Sequence, residues 1–462
     1  MQIEKLKEIL PPLIRKMEKT IPYACALAME SDGEQITVQT RQQFVRPVNS
    51  MRGVVFTIFN GKHFIEYGIN SFSEEALQGA AESLLEWALA QGVDQNSPEV
   101  DQGDTLAKDF NVLCQVNPLS IPLSTKLRLC AGYKDKLHAL DARIVNATVN
   151  YKWVNTRELF INRNKCLFQD LSRVEFLLFI IMRNKSQSVM LHTGNAKQGG
   201  FEQVHIPDTR IKRLVEDCGK LLSSERLSPG MYDCIFSPEL SGIFAHESFG
   251  HGIETDMILK GRARAAEYFN RPVASPLVNM YDSPALPGEA ASFFFDHEGQ
   301  LASETTIIHN GVLQAGITDL NSAMRLKIPR TANGRRESFE RKAYARMTNT
   351  YFSKGDECFD NMVKDIPFGY FLAYPSNGTE DPKGWGIQLE AYYAEQIKDG
   401  RLTGKVFSPV IITGYVPELL QSISMVGDTI EISGLGMCGK GHKEWVKTTN
   451  GGPFLRLKAR LG

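Results

Sequence analysis

The character of the sequence changes near Gly230. Before this point, segments with apolar residues at helical spacing alternate with segments in which apolar and polar residues alternate, as in half-buried strands. After it, helical spacing becomes rare, glycines are frequent and short strand-like segments are separated by turns. The polar segment 223–230 ends in Pro-Gly and is typical of a domain boundary. We therefore predict an α+β fold, with an N-terminal αβ domain of antiparallel sheet and helices over residues 1–225 and a mainly β C-terminal domain over residues 226–462.

Several elements of the first domain can be placed from capping and periodicity. Ser73 is a good N-cap, acidic residues follow in the first turn, and one apolar face continues to a stop at Gly92. An N-terminal helix is expected to end near Pro11 and Pro12, because proline interrupts helical hydrogen bonding. The other predicted elements are helices at 124–140 and 208–222 and antiparallel strands at 143–154, 157–161 and 166–182.

Composition and charge exclude several classes of protein. The 42% hydrophobic and 23% charged residues are ordinary for a globular chain. The 52 basic and 53 acidic residues give a net charge of -1, which argues against a strongly basic nucleic-acid binder. The longest uncharged apolar run, at 176–182, is far shorter than the roughly 20 residues of a membrane helix. The N-terminus also lacks the apolar core of a secretory signal. We therefore expect a cytoplasmic protein with no nucleic-acid and no membrane partner.

A helix predicted to begin at Pro238 carries the pattern HExxxH. Ser237 is its N-cap, and proline is favoured at the first helical position. Further along, His246, Glu247 and His251 supply two imidazoles with a carboxylate between them. Hydrolytic metal sites use neutral histidines as ligands and a glutamate as general base toward the attacking water. The alternative is that these are ordinary helix residues, because so short a pattern also arises by chance.

The spacing of the two histidines constrains the shape of this helix. At about 100° per residue, positions i and i+5 are separated by about 140°, whereas i and i+4 are separated by only about 40°. His246 and His251 therefore cannot easily share a metal on a regular α-helix. A π-helical turn aligns i with i+5, and Gly250 could ease that distortion or end the helix. We predict such a bulge within residues 244–252.

A zinc hydrolase needs a third protein ligand, and the C-terminal region offers two candidates. Cys438 lies among four glycines, where a packing residue is poorly placed. It is one of eight cysteines that form no CxxC pair, so neither a disulfide framework nor a zinc ribbon is expected. His442 is the rival ligand. Glu254 or Asp256 could be the carboxylate that orients a ligating imidazole.

The run SPELSGIFAHESFGHGIETD, which contains the HExxxH pattern, resembles the signature of the TldD/PmbA family of zinc metallopeptidases, older members of which are named modulator of DNA gyrase. Other segments match the family's motifs in the same order along the chain. The likeness spans most of the sequence, and the ordered set is far more specific than any single motif. The matching segments are MRG at 51–53, SEEAL at 73–77, FDHEG at 295–299, TANGRRES at 331–338, RMTNT at 346–350 and MVGD at 425–428.

The resemblance implies a catalytic role for this chain. Of the two family branches, the TldD type keeps HExxxH together with a C-terminal cysteine. The likeness therefore implies Zn²⁺ held by His246, His251 and Cys438, with Glu247 activating water to cleave unstructured peptides. It also implies a dimer, either a homodimer or a heterodimer with a PmbA-type subunit.

The loop at 331–338 is a candidate substrate-binding segment. Arg335 and Arg336 could bind a peptide carboxylate, as could Arg346, but ion pairing within the protein is the alternative. Asn333 is a candidate in the same group, although with the following glycine it also predicts a turn with a positive φ. The sequence departs from the family pattern in this region, and its loop geometry could differ. The departures are His297 in place of an acidic residue and Ala332 in place of a glycine.

The leading hypothesis is a zinc-dependent peptidase that acts on unstructured peptides or small unfolded proteins, in peptide maturation or degradation. The alternative from another class is a non-catalytic scaffold or regulatory binding protein, as the gyrase-modulator name suggests. A third hypothesis is a metal hydrolase acting on a non-peptide amide. Loss of function on chelation discriminates against the scaffold, because a scaffold has no use for a metal-activated water.

Overall fold

The computed structural model describes residues 2–48, 50–441 and 443–462. These residues form an N-terminal sheet with helices packed against it and a C-terminal half in which strands predominate, which confirms the predicted α+β class. The N-terminal helices are α1 (Leu6–Met17), α2 (Glu74–Ala90), α3 (Leu123–Leu140) and α4 (Asp208–Leu221). The N-terminal strands are β1 (Tyr23–Gln39), β2 (Gln43–Pro47), β3 (Met51–Phe59), β4 (Phe64–Ile69), β5 (Leu106–Asn111), β6 (Ile144–Ile161), β7 (Lys165–Arg183) and β8 (Ser188–Gln198).

The N-terminal sheet has the order β4-β3-β1-β6-β7-β5, with β2 beside β1 and β8 beside β7. Every pairing is antiparallel except that of β5 with β7.

The sequence predicted most of these helices and strands. Ser73 caps α2 by accepting a hydrogen bond from the N–H of Ala76. The two strands predicted at 143–154 and 157–161 form the single strand β6, because β1 and β7 both pair with it through the predicted gap.

The expected end of the first helix near Pro11 and Pro12 is wrong. Helix α1 continues through both prolines to Met17. Proline removes intrahelical hydrogen bonds and costs stability, but this helix buries an apolar face against the sheet, and that burial offsets the loss. The buried residues are Leu6, Leu10, Leu13, Ile14 and Met17.

Strands predominate in the C-terminal half. Its helices are α5 (Pro238–Ala245), α6 (Thr255–Leu259), α7 (Leu320–Leu326), α8 (Phe359–Lys364) and α9 (Val416–Gln421). Its strands are β9 (Gly230–Phe236), β10 (Met280–Asp282), β11 (Thr305–His309), β12 (Val312–Leu313), β13 (Gly334–Arg335), β14 (Tyr344–Ala345), β15 (Asn349–Phe352), β16 (Phe368–Glu380), β17 (Gly386–Lys398), β18 (Arg401–Phe407), β19 (Val410–Tyr415), β20 (Met425–Val426), β21 (Glu431–Ser433), β22 (Met437–Lys440), β23 (Lys443–Lys447), β24 (Thr449–Gly452) and β25 (Leu455–Leu461).

The C-terminal half contains two larger sheets. In one of them the pairings run β9-β16-β17-β19-β25 and return to β9, so the strands close into a ring. The other has the order β12-β11-β10-β15-β24-β21.

The hydrophobic core is continuous between the two halves. One buried cluster joins Phe176 and Leu214 of the N-terminal half to Phe371, Tyr393 and Ile397 of the ring. The domain boundary after residue 225 stays a prediction.

Among the described residues, no helix combines the length and the apolar character needed to span a membrane.

Candidate metal centre

The helix that carries the site begins as the sequence predicts. The side chain of Ser237 accepts a hydrogen bond from the N–H of Leu240 at 3.3 Å, and the helix α5 starts at the following proline. This helix lies directly on strand β24. A Cβ added to Gly242 would lie 2.7 Å from the backbone nitrogen of Gly451, and one added to Gly452 would lie 2.9 Å from Cβ of Ser241. Glycines on both surfaces therefore allow the close packing that fixes the helix.

The predicted widening of the helix is present. Residues His246–Gly250 form a π-helical turn, in which the N–H of His251 donates to the carbonyl of His246. Phe249 departs from helical geometry, with φ -115° and ψ 22°. Gly250 has an ordinary negative φ, and a Cβ there would lie 3.2 Å from Cγ of Met347. A larger residue at this position would therefore require the side chain of Met347 to shift.

The π turn brings both histidines to one cysteine. Nε2 of His246 and Nε2 of His251 each lie 3.2 Å from Sγ of Cys438, and one ligand atom from each residue lies within 4.8 Å of the others. Cys438 is on β22, which pairs only with β23 among the described strands. The rival ligand His442 lies outside the described residues. Thiolate and imidazole are ligands that zinc prefers, so this donor set fits the metal.

The charges of the three side chains depend on one another. Burial raises the pKa of the Cys438 thiol, but the two imidazoles outweigh burial and hold that pKa well below its usual range. Burial lowers the pKa of both imidazoles, but the cysteine outweighs it and raises them, most strongly for His251. The sulfur is therefore ready to act as a thiolate ligand. Metal binding would release protons from the histidines, since only neutral imidazole coordinates.

Of the two candidate orienting carboxylates, Glu254 contacts an imidazole. Its Oε2 lies 3.4 Å from Nδ1 of His251 and 3.1 Å from Nζ of Lys440. Glu254 is 2% exposed, and although burial raises its pKa, Lys440, His251 and Arg346 hold that pKa well below the usual range. Asp256 instead pairs with Lys440 at 2.6 Å. Nδ1 of His246 is buried and has no hydrogen-bond partner among the described residues.

Glu247 is half-buried next to the two histidines. Within the described part of the chain, no group donates a hydrogen bond to its carboxylate. Strand β16 passes directly against its side chain, and a Cβ added to Gly378 would lie 2.6 Å from Cγ of Glu247. A glycine inside a strand can mark such a close approach, but the sequence does not show which segment comes close. The structure thus adds Gly378 to the residues that shape the site.

A second carboxylate near the site, Glu380, was missed by the sequence analysis. Both of its oxygens are buried and have no partner in the described residues, as is also true of the indole nitrogen of Trp385. A Cβ added to Gly252 would lie 3.3 Å from Oε1 of Glu380 and 3.7 Å from the indole nitrogen. Burial raises the pKa of Glu380 to about 9, and the carboxylates of Glu247 and Glu254 add to the increase. No local motif marks this residue, so the sequence carried no signal for it.

This carboxylate predicts a pH-dependent effect on stability. An unfolded glutamate titrates near about 4.3, so a folded pKa of about 9 destabilises the native protein progressively as pH rises between these values. In the metal-free protein, Glu380→Gln should raise the melting temperature relative to wild type by a margin that grows between pH 5 and pH 9. Thermal denaturation at several pH values measures that margin. The matched control is Glu86→Gln on an exposed helical face, and a pH-independent margin for Glu380→Gln would contradict the expectation.

The structure places the three candidate substrate-binding residues in buried positions with protein partners. Asn333 donates to Asp282 at 2.8 Å and to the carbonyl of Arg346 at 3.0 Å. Arg335 donates to a backbone carbonyl at 2.5 Å. Arg336 bonds Glu66 of the N-terminal sheet at 2.8 Å. These contacts match the alternative of internal pairing, and substrate binding by the loop stays a prediction.

The local geometry of this loop differs from one expectation. Neither Asn333 nor Gly334 has a positive φ. A Cβ at Gly334 would lie 2.1 Å from Oε2 of Glu298, so close packing accounts for the glycine. His297, which replaces an acidic residue of the family pattern, accepts a hydrogen bond from the N–H of Arg336 at 2.8 Å and thereby supports the loop. Ala332, which replaces a glycine of that pattern, is fully buried in an apolar cluster.

The fold and the donor set define a candidate metallohydrolase, and comparison with known proteins gives its family. Residues 229–459 match the family model of the PmbA/TldA metallopeptidase C-terminal domain. A metalloprotease of Methanothermobacter thermautotrophicus is 30% identical over 345 residues, which cover 74% of each chain. A zinc metalloprotease TldD homolog of Saccharolobus solfataricus is 32% identical over 67% of this chain and 69% of its own. The chain belongs to the PmbA/TldD family.

Solved structures show the same fold over the whole chain. TldE from Thermococcus kodakarensis superimposes with a TM-score of 0.77 at 16% identity, covering 98% of this chain and 99% of its own. A suggested modulator of a DNA gyrase from Thermotoga maritima superimposes with a TM-score of 0.80 at 17% identity and covers 100% of both chains. At these identities the likeness concerns the fold alone.

Proposed function

We propose that this protein is a zinc-dependent peptidase of the TldD branch that cleaves unstructured peptides or small unfolded proteins. The observation that carries the proposal is the convergence of the two imidazoles of the HExxxH turn on Sγ of Cys438, each at 3.2 Å, with Glu247 next to the first histidine. The relatives named as metalloproteases support the same reaction class.

In this proposal, His246, His251 and Cys438 would hold Zn²⁺. A zinc ion bound in this way lowers the pKa of a water molecule and polarises a carbonyl group. Glu254 orients the imidazole of His251 through Nδ1, which fixes the direction of its other nitrogen. Among these three ligands, the thiolate of Cys438 is the one that carries a negative charge.

Glu247 is the general base. Its carboxylate takes a proton from the attacking water and passes it to the leaving amine, so the net reaction adds water across one peptide bond. Since no described group donates a hydrogen bond to this carboxylate, its oxygens remain free to accept that proton. Gly378 leaves the space that the side chain of Glu247 needs.

The burial of the site supports an unstructured substrate. His246 is 4% exposed and Cys438 is 5% exposed, and of the three ligands only His251, with a side chain 20% exposed, is partly open to solvent, which favours a narrow chain over the surface of a folded protein. An extended chain is much narrower than a folded domain and fits this requirement.

We also propose a cytoplasmic protein that acts as a dimer, either with a second copy or with a PmbA-type subunit. The structural likeness to a protein named TldE supports a partner of the same fold.

The test of the proposed function is metal analysis combined with peptide digestion. We expect about one zinc per purified full-length chain, cleavage of an unfolded substrate such as reduced casein, loss of cleavage with a zinc chelator and recovery on adding Zn²⁺. Absence of zinc after a zinc-supplemented preparation would favour the scaffold alternative. Zinc binding with no cleavage of peptides would instead favour a hydrolase of other amides.

A further inference from the structure

One arginine connects the cysteine of the site to the HExxxH turn. Arg346 is 1% exposed, and its Nη2 donates to Sγ of Cys438 and to the carbonyl of the same residue, both at 3.0 Å. Its Nε donates to Oε1 of Glu254 at 3.2 Å, and its Nη1 donates to the carbonyl of Glu444. All three nitrogens of the guanidinium are therefore used within the protein.

This environment leaves no room for a peptide carboxylate at Arg346. A substrate would have to displace Glu254 or the cysteine, and the side chain is closed off from solvent. Removing a guanidinium from water is unfavourable unless good partners replace the water. The partners here are a carboxylate, a sulfur and two carbonyls, which suit the rigid donor fork of arginine better than the single ammonium of lysine.

The contacts of Arg346 link two segments that are far apart in sequence. Cys438 lies on a short hairpin and His251 directly follows the π turn, 187 positions away along the chain. Glu254 contacts the imidazole of His251, and Arg346 binds both Glu254 and Cys438. Lys440 of the same hairpin also pairs with Glu254, at 3.1 Å, but Arg346 donates hydrogen bonds both to this carboxylate and to the sulfur itself. The hairpin has no other strand partner among the described residues, so the two cations hold it beside Glu254 and Arg346 sets the position of the sulfur.

We infer that Arg346 is a positioning residue that holds Cys438 in place for the metal and joins it to Glu254 and His251 before the metal binds. This inference rests on the proposed function, because it assumes that Cys438 is a zinc ligand. The hydrogen bond from Arg346 to Sγ also stabilises the negative charge of the thiolate, as hydrogen bonds to metal ligands do in other sites.

Zinc affinity measured by competition with a chromophoric chelator tests the inference. Loss of a group that supports a ligand weakens metal binding by about 10- to 100-fold, and we expect a weakening of that order for Arg346→Met. The Co²⁺-substituted protein should show a shifted or weaker thiolate-to-cobalt absorption band. Arg346→Lys keeps the charge but not the fork, so its affinity should lie between those of wild type and Arg346→Met.

Arg157→Met is the matched control, because Arg157 is a part-buried arginine whose ion pair, with Glu30 at 3.0 Å, joins two strands of the N-terminal sheet. It should leave the zinc affinity and the cobalt spectrum unchanged. If Arg346→Met does not fold, the comparison is made with Arg346→Lys, which retains the ion pair with Glu254. A folded Arg346 variant with the wild-type affinity and spectrum would overturn the inference while leaving the proposed function intact. A wild type that binds no zinc would overturn the proposed function itself.

Discussion

Glu247→Gln should remove most of the peptide cleavage activity while the protein keeps its zinc. Glutamine has the size and shape of glutamate, so it fits the space beside Gly378, but its amide cannot take a proton from water. General-base catalysis contributes about 10²- to 10⁴-fold to the rate, and we expect a loss of that order in kcat. The KM for an unfolded peptide should change little, because the residue acts on the water rather than on the bound chain. Steady-state cleavage and metal analysis of the same preparation give both quantities.

The control for this variant is Glu239→Gln in the first turn of the same helix. It makes the same chemical change 8 positions away from Glu247 and should remain active. Cleavage at the wild-type rate by Glu247→Gln would refute the general-base role. Loss of zinc from Glu247→Gln would show instead that the carboxylate helps to build the metal site.

Replacement of Cys438 by alanine should remove zinc from the protein. The thiolate is the charged member of the proposed ligand set, and without it two neutral imidazoles remain. We expect metal content close to zero after dialysis, and His246→Ala should give the same result. Because a metal that binds only the folded state stabilises it, the rise in melting temperature that added zinc gives to wild type should disappear in both variants.

Cys358→Ala controls for the loss of a thiol, since Cys358 is exposed and lies outside the cluster that Cys438 forms with the two histidines. Its zinc content and its response to added zinc should match wild type. Retention of about one zinc per chain by Cys438→Ala would contradict the ligand set and point to the rival ligand His442. Circular dichroism of each variant establishes that a loss of metal is not a loss of fold.

Local features of the structure followed from the sequence because their causes are local. Ser237 and Pro238 fix the start of the helix, and the five-residue spacing from His246 to His251 anticipated the π turn. The N-cap at Ser73 fixes the start of another helix for the same reason. Pro11 and Pro12 show the limit of local rules, because burial of one helical face in the sheet outweighed the missing hydrogen bonds.

The surroundings of the site could not be read from the sequence in the same way. Arg346 was open to two interpretations, and its partners decide between them: Cys438 and Glu254 each lie 92 positions away along the chain. Glu380 has no motif around it, and its importance comes from the fact that its buried carboxylate has no partner within the described part of the chain.

By itself, then, the sequence determined the fold class, the widened HExxxH turn and a short set of candidate ligands and supporting carboxylates. Only the tertiary structure decided that Cys438 meets the two imidazoles, that Glu254 rather than Asp256 contacts His251, and that the candidate arginines are enclosed within the protein. The physical reason is how far apart along the chain the interacting residues lie. Capping and helical spacing act over a few residues and leave a pattern in the sequence, whereas ligand convergence and burial depend on how distant segments pack.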